Sequence, residues 1–262
     1  MPVENEEFGD EALRIVDAAD AAGVTLRILG SIAYRIHCPR NLHLFEDMAR
    51  ALTDIDFGAE KQQAQLVQDL FARLNYTEDR PIGIVSEGSR YVFTGPDGKL
   101  NVDVFMDELF FCHRIPLKGR LTLDRPTISV TDLLLEKMQI IEINLKDLED
   151  TSVLLLEHDI AETAAGTELV DLGHLASLLC SDWGFYHTVT VNLAKVAEFV
   201  DHAPGCTPAE RDLIKQRISD LLSALQRKPK TLPWKLRARV GTRVKWYQEV
   251  NVKESSFLSD LP

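Results

Sequence analysis

The sequence predicts an α/β (α+β) chain in two parts. A mixed-sheet domain spans residues 1–125, and a mainly helical domain follows over 126–262, ending in a basic tail. Three observations carry this. Short β-prone runs alternate with helical patterns up to about residue 125; Gly95-Pro96-Asp97-Gly98 is a strong turn signal between two such runs; and after Pro126 the apolar residues recur at helical spacing.

The elements follow in order. Glu11 to Ala22 reads as a helix, with Leu13, Val16, Ala19 and Ala22 near helical spacing and Gly23 as its stop. Val24–Leu29 is a short strand bounded by that glycine and Gly30. Ile32 to His37 is helical until Pro39. Asp54–Phe57 alternates charged and apolar residues as a strand does, and Lys61 to Leu74 stacks Leu66, Leu70 and Leu74 four apart. Ile82–Ser86 and Arg90–Thr94 read as strands, the second forming a hairpin with Leu100–Phe105. From Thr131, taken as an N-cap, Leu134, Met138, Ile141, Leu145 and Leu148 repeat every three or four residues. Helical patterns recur over 171–180, 190–199 and 208–225.

Composition bounds the function. A chain of 262 residues with 45% hydrophobic and 27% charged residues can bury one large core or two modest ones, which excludes disordered, collagenous and coiled-coil classes. No apolar run nears the roughly 18 residues that span a bilayer. The acidic start (Glu4, Glu6, Glu7, Asp10, Glu11) is unlike a secretory signal, so a cytoplasmic protein without membrane partners is expected. Cys38, Cys112, Cys180 and Cys206 are far apart, and reduced, buried thiols are expected rather than zinc ligands or disulfides. The net charge of −12 hides a division. Residues 227–247 hold eight Lys/Arg and no Asp or Glu, leaving the remainder at −20. Docking of this tail on the acidic body is the first expectation; contact with RNA or another polyanion, or a solvated face, are the others.

The residues with chemical content are three aspartates and a Gly-Ser step. Asp54 and Asp56 stand two apart on a strand, so both carboxylates share one face while Ile55 and Phe57 share the other. Such a pair repels itself unless a cation neutralises it, and magnesium prefers these hard oxygens. Asp103 lies on the strand that closes the hairpin, with Val102 and Val104 packing on its opposite face. Gly30-Ser31 sits where a strand feeds a helix, a place where amides, dipole and hydroxyl suit a phosphate. Taken singly, Asp-x-Asp also fits a loop and Gly-Ser a helix cap. Their joint order carries the reading.

That order resembles the nucleotidyltransferase superfamily that includes DNA polymerase β: Gly-Ser after a first strand, Asp-x-Asp on a second and a lone Asp on a later one. The run from Leu133 to Asp150 is similar to the lysine-bearing helix that follows the catalytic domain in several bacterial members. Arg35–Pro39, Val102–Phe105, Cys112-His113, Asp182-Trp183-Gly184 and Leu236–Gly241 resemble a bacterial nucleotidyltransferase-like group over nearly the whole chain. The resemblance implies that Asp54, Asp56 and Asp103 are catalytic and hold two magnesium ions, with manganese as a substitute. It implies that Gly30, Ser31 and Lys137 bind the nucleoside triphosphate, and it leaves the acceptor unidentified. The alternative is a non-catalytic nucleotide-binding or regulatory protein on the same fold. One departure is the 22 residues between Ser31 and Asp54, which imply an insertion looping out over about Pro39 to Arg50. His113 and His187 read as core-edge histidines. Lys146, Asp147 and Asp150 read as a structural ion-pair cluster, and Trp183, Trp234 and Trp246 as packing anchors.

Overall fold

The computed structural model describes residues 5–49, 51–163 and 168–249. Helix α1 (Asn5–Ala21) buries Phe8, Ala12, Ile15, Val16 and Ala19 on one face, and Gly23 at φ +71° turns the chain into β1 (Leu26–Leu29). Helix α2 (Gly30–His37) begins at the next residue. A 3-10 turn and α3 (Leu42–Asp47) lead to β2 (Ile55–Ala59) and α4 (Ala64–Arg73). Then come β3 (Thr77–Glu78), α5 (Arg80–Val85), β4 (Arg90–Thr94) and β5 (Asn101–Met106). The five strands form one mixed sheet in the order β1-β2-β5-β4-β3. Within it β2 and β5 run parallel, and β1-β2, β4-β5 and β3-β4 are antiparallel. A small hairpin of β6 (Glu108–Phe110) and β7 (Arg114–Pro116) follows.

The helical part comprises α6 (Val130–Met138), α7 (Leu145–Glu157), the short pair β8 (Ile160–Ala161) and β9 (Val170–Asp171), α8 (Leu172–Leu179), α9 (Trp183–Phe199), α10 (Pro208–Arg227) and α11 (Leu232–Val240). Among the described residues no helix is long and apolar enough to cross a membrane. All four cysteines are free and buried. The hydrophobic core is continuous across residue 125: α2 packs on α6 and α7, and Ile28 of β1 exchanges backbone hydrogen bonds with Pro126 and Ile128.

Three local expectations are corrected. Ile82–Ser86 is not a strand, because Pro81 opens α5; Ile84 and Val85 stay 77% and 74% exposed, so no buried sheet face recruits this apolar run. The segment from Pro39 does not loop out. It coils as a 3-10 turn and α3, burying Leu44 and Phe45, while Arg40 and Asn41 both donate to the buried Glu157 carboxylate; Arg50 lies outside the described residues. The apolar repeat after Thr131 is two helices. Ser129 caps α6 by accepting from the Asp132 amide, and a capping box of Asn144 and Asp147 starts α7 afresh.

The basic tail lies against the helical part. Trp234 Nε1 donates to the Leu179 carbonyl and Trp246 Nε1 to the Thr188 hydroxyl, both at 3.1 Å, and the Gln248 amide donates to Cys112 at 3.1 Å. At Gly184 a Cβ would meet the Trp246 carbonyl at 2.5 Å, so glycine is needed for this approach. Arg237 stacks over Trp183, and Lys228 pairs with Glu162. Indoles and backbone bonds, more than ion pairs with the acidic body, seat the tail. His113 is buried against Phe185 and bonded to the Thr188 hydroxyl, and His187 stacks on Trp183; both are packing histidines.

Candidate functional site

The parallel register of β2 and β5 sets the site. It aligns Asp56 with Asp103, and β1 places Leu29 opposite Asp56, so Gly30 leaves the sheet directly beside the carboxylate. Alternation sends Ile55, Phe57, Val102 and Val104 into the core and leaves Asp56 and Asp103 on the other face, each only 2% exposed. Asp54 stands half-buried one residue before β2. Gly30 has φ +68°, and a Cβ there would lie 2.6 Å from Asp56 Oδ2. Both its conformation and its closeness to Asp56 require glycine.

Neighbouring elements close the site. From β4, Arg90 Nε donates to Asp103 Oδ1 at 2.8 Å, its guanidinium lying over the Phe105 ring. From α6 come Glu136 and Lys137, both buried. Glu136 Oε2 accepts the Gly30 amide at 3.1 Å. Lys137 Nζ pairs with Asp147 at 3.0 Å and Asp150 at 3.5 Å on α7, and the Ser31 hydroxyl donates to Asp150 at 3.1 Å. Asp147 and Asp150 thus form an ion-pair cluster, and Lys137 is a buried member of it.

Among the described residues, six carboxyl groups here (Asp54, Asp56, Asp103, Glu136, Asp147, Asp150) lie with the cations Arg90 and Lys137. The imbalance falls on Asp56. Its Oδ1 is buried without a hydrogen-bond partner. Burial first, then the charges of Asp54, Asp103 and Glu136, push its carboxyl well above the ordinary range, and Lys137 offsets this only in part. Burial also lifts Glu136, whose carboxyl reaches about 7 against the pull of Lys137 and the Gly30 amide.

The structure therefore gathers Gly30, Asp54, Asp56 and Asp103, and it seats Ser31 and Lys137 behind them in internal bonds. Asp103 is held by Arg90, and Asp56 keeps one buried oxygen without a hydrogen-bond partner. Among the described residues, the trio whose ligand atoms all come within 4.8 Å of one another is His37, His158 and Glu168. Sequence reading missed Arg90 and Glu136 as site residues. The only signal for Glu136 was a Glu-Lys pair inside the apolar run Leu133–Met138, and Arg90 left none. No family model, curated protein or solved structure matches the chain. The functional reading rests on the site's own chemistry.

Proposed function

We propose that the chain is a magnesium-dependent nucleotidyltransferase that moves a nucleoside monophosphate from a nucleoside triphosphate to an acceptor still to be identified. One observation carries the reading: Asp56 is aligned with Asp103 on adjacent parallel strands, with its Oδ1 buried and unbonded, next to the glycine that opens α2. A divalent cation fits this donor set. The ligands are all hard carboxylate oxygens, and the like charge crowded around Asp56 favours a divalent ion that keeps waters and substrate phosphates in its shell. Asp54, Asp56 and Asp103 would hold magnesium, two ions on the superfamily pattern, or manganese in its place. When bound, the metal supplies charge stabilisation for the attacking and leaving oxygens.

The chain's own groups do the positioning. Gly30 and Ser31 at the start of α2 would receive the β and γ phosphates. The Glu136 carboxylate now accepting the Gly30 amide sits as a phosphate oxygen would, and its raised pKa makes protonation on anion entry inexpensive. Arg90 orients Asp103, the group that would take the acceptor's proton. Lys137 acts from behind, holding Asp147 and Asp150 as the anchor for Ser31.

A second reading, a non-catalytic nucleotide-binding or regulatory protein, draws on one fact. Ser31, Lys137 and Asp103 already have internal partners in Asp150, Asp147 and Arg90. RNA binding by the tail ranks below its intramolecular seat, because its indoles are spent on Leu179 and Thr188.

Magnesium with a triphosphate should raise Tm, equivalent to about 2.7 kcal/mol at a hundredfold excess over Kd. The Asp54→Ala/Asp56→Ala double variant should stay folded and lose that response. With a competent acceptor, label from the α-phosphate should transfer and pyrophosphate appear, and Asp103→Asn should abolish transfer while sparing nucleotide binding. Tight magnesium-dependent binding without transfer, over a screen of hydroxylated small molecules, RNA and proteins, selects the second reading. A thermal response untouched by the double variant refutes the site.

A further inference from the structure

His37 ends α2, His158 follows α7, and Glu168 lies between β8 and β9. Together they bring one ligand atom each to within 4.8 Å of the other two. Both imidazoles are buried, while the Glu168 side chain is 61% exposed and leaves an entry path from solvent.

The hydrogen bonds of His37 are the decisive feature. Its Nε2 lies 3.0 Å from the Ile128 carbonyl oxygen, which can only accept, so Nε2 carries a hydrogen; the Thr127 hydroxyl, 2.6 Å away, shares it. In the neutral ring Nδ1 is then a bare lone pair. It faces the Glu168 carboxylate oxygens at 3.1 and 3.3 Å, acceptor against acceptor. A positive centre between them, either a proton on Nδ1 or a metal ion, resolves the conflict. A ring nitrogen anchored to a carbonyl on the far side is also how ligating histidines are oriented. The buried Asp124 Oδ2, which has no hydrogen-bond partner, stands 3.7 Å from the same Nε2 as an outer carboxylate.

His158 completes the set. Its Nδ1, 3.6 Å from Glu168 Oε2, lies 3.0 Å from the Glu168 main-chain oxygen and donates its hydrogen there, as His37 Nε2 does to Ile128, which leaves Nε2, buried without a hydrogen-bond partner, as the ring's lone pair. Two ligands at about 2.0–2.1 Å from a tetrahedral zinc stand about 3.3–3.4 Å apart, close to the 3.1 and 3.3 Å between His37 Nδ1 and the Glu168 carboxylate oxygens. Two imidazoles and a carboxylate are a zinc donor set, with a fourth position for water.

We propose that His37, His158 and Glu168 form a zinc site. It ties the end of α2, the helix that begins at Gly30, to the residue after α7 and to Glu168 just before β9. It stands apart from the nucleotide reading and shares no residue with it.

The test uses the full chain stripped with a chelator, then titrated with zinc against a competing indicator and with cobalt as a spectroscopic probe. One zinc per chain is expected, together with a rise in Tm and visible cobalt absorption of a low-symmetry N/O site. Glu168→Ala, at an exposed side chain, and His158→Gln should each weaken zinc by at least about tenfold, and both should quench the cobalt band. Circular dichroism checks that each variant is folded. Zinc binding in Glu168→Ala that matches wild type, or no binding at one equivalent, overturns the proposal. Loss of zinc on Asp56→Asn instead would place the ion at the aspartates and overturn it equally.

Discussion

Asp56 and Asp132 are two buried aspartates, 2% and 0% exposed, that their surroundings drive in opposite directions. Around Asp132 at the start of α6, Arg120 Nε donates at 2.8 and 3.0 Å and the Ser129 hydroxyl at 2.7 Å, with His174 at 3.5 Å. Burial alone would raise its carboxyl, yet His174, Arg120 and Ser129 together hold it below the ordinary value. Asp56 has burial and three like charges, and one of its oxygens has no partner. Burial therefore does not tell a structural carboxylate from a functional one; the completeness of its partners does. Asp132 is a finished joint between the β7–α6 connection and the helices. Asp56 keeps one oxygen without a partner beside like charges, which a cation entering from outside would offset.

The strongest way to break this contrast is Arg120→Ala. It strips a buried carboxylate of its cation, and such losses cost about 3–5 kcal/mol. Urea denaturation should show a loss of that size, and a loss under about 1 kcal/mol would reduce the joint to an ordinary surface pair.

Next comes pH. Glu136 reaches about 7 in the fold against an ordinary 4.5, so the folded chain holds a proton that the unfolded chain has released. That stability is fully present below 4.5 and is lost as pH rises through about 7. Glu136→Gln keeps an oxygen for the Gly30 amide and removes the titration. Its stability relative to wild type should climb across this window, by at most about 3 kcal/mol. Asp132 works oppositely: its contribution is present above 3.8 and is lost as pH falls through its lowered folded value. Parallel wild-type and Glu136→Gln curves would remove the strain from the Gly30 side of the site.

The smallest expected effect is that of Asp56→Asn in chelator. The native carboxyl already holds its proton well above the ordinary range, so the amide relieves only residual repulsion. The variant should gain about 1 kcal/mol and lose its response to magnesium. A marked loss of stability would mean that Asp56, like Asp132, is a structural joint.

Much of this contrast was legible in the chain. The alternation of Asp56 with Ile55 and Phe57 was legible, because strand alternation is local; the expected strand start at Asp54 was not met, since β2 begins at Ile55. The hairpin of β4 and β5 was legible for the same reason, from Gly95–Gly98 and the runs that flank it. Local pattern failed where a neighbour overrode it. Ile82–Ser86 has strand composition, but Pro81 started a helix and no sheet face was offered. Leu134 to Leu148 keeps helical spacing through a break that the capping box of Asn144 and Asp147 imposes.

What the sequence by itself determined, then, is the set of local choices: caps, turns, alternation, the acidic body and the basic tail. These depend on residues a few positions apart. Only the tertiary structure decided that Asp56 aligns with Asp103, that Arg90 and Glu136 border them, that Lys137 is spent on Asp147 and Asp150, and that His37, His158 and Glu168 meet. Each of these contacts joins residues far apart in the chain through sheet register and helix packing. Register and packing are fixed by burial of the whole core at once, so no window of the sequence contains them.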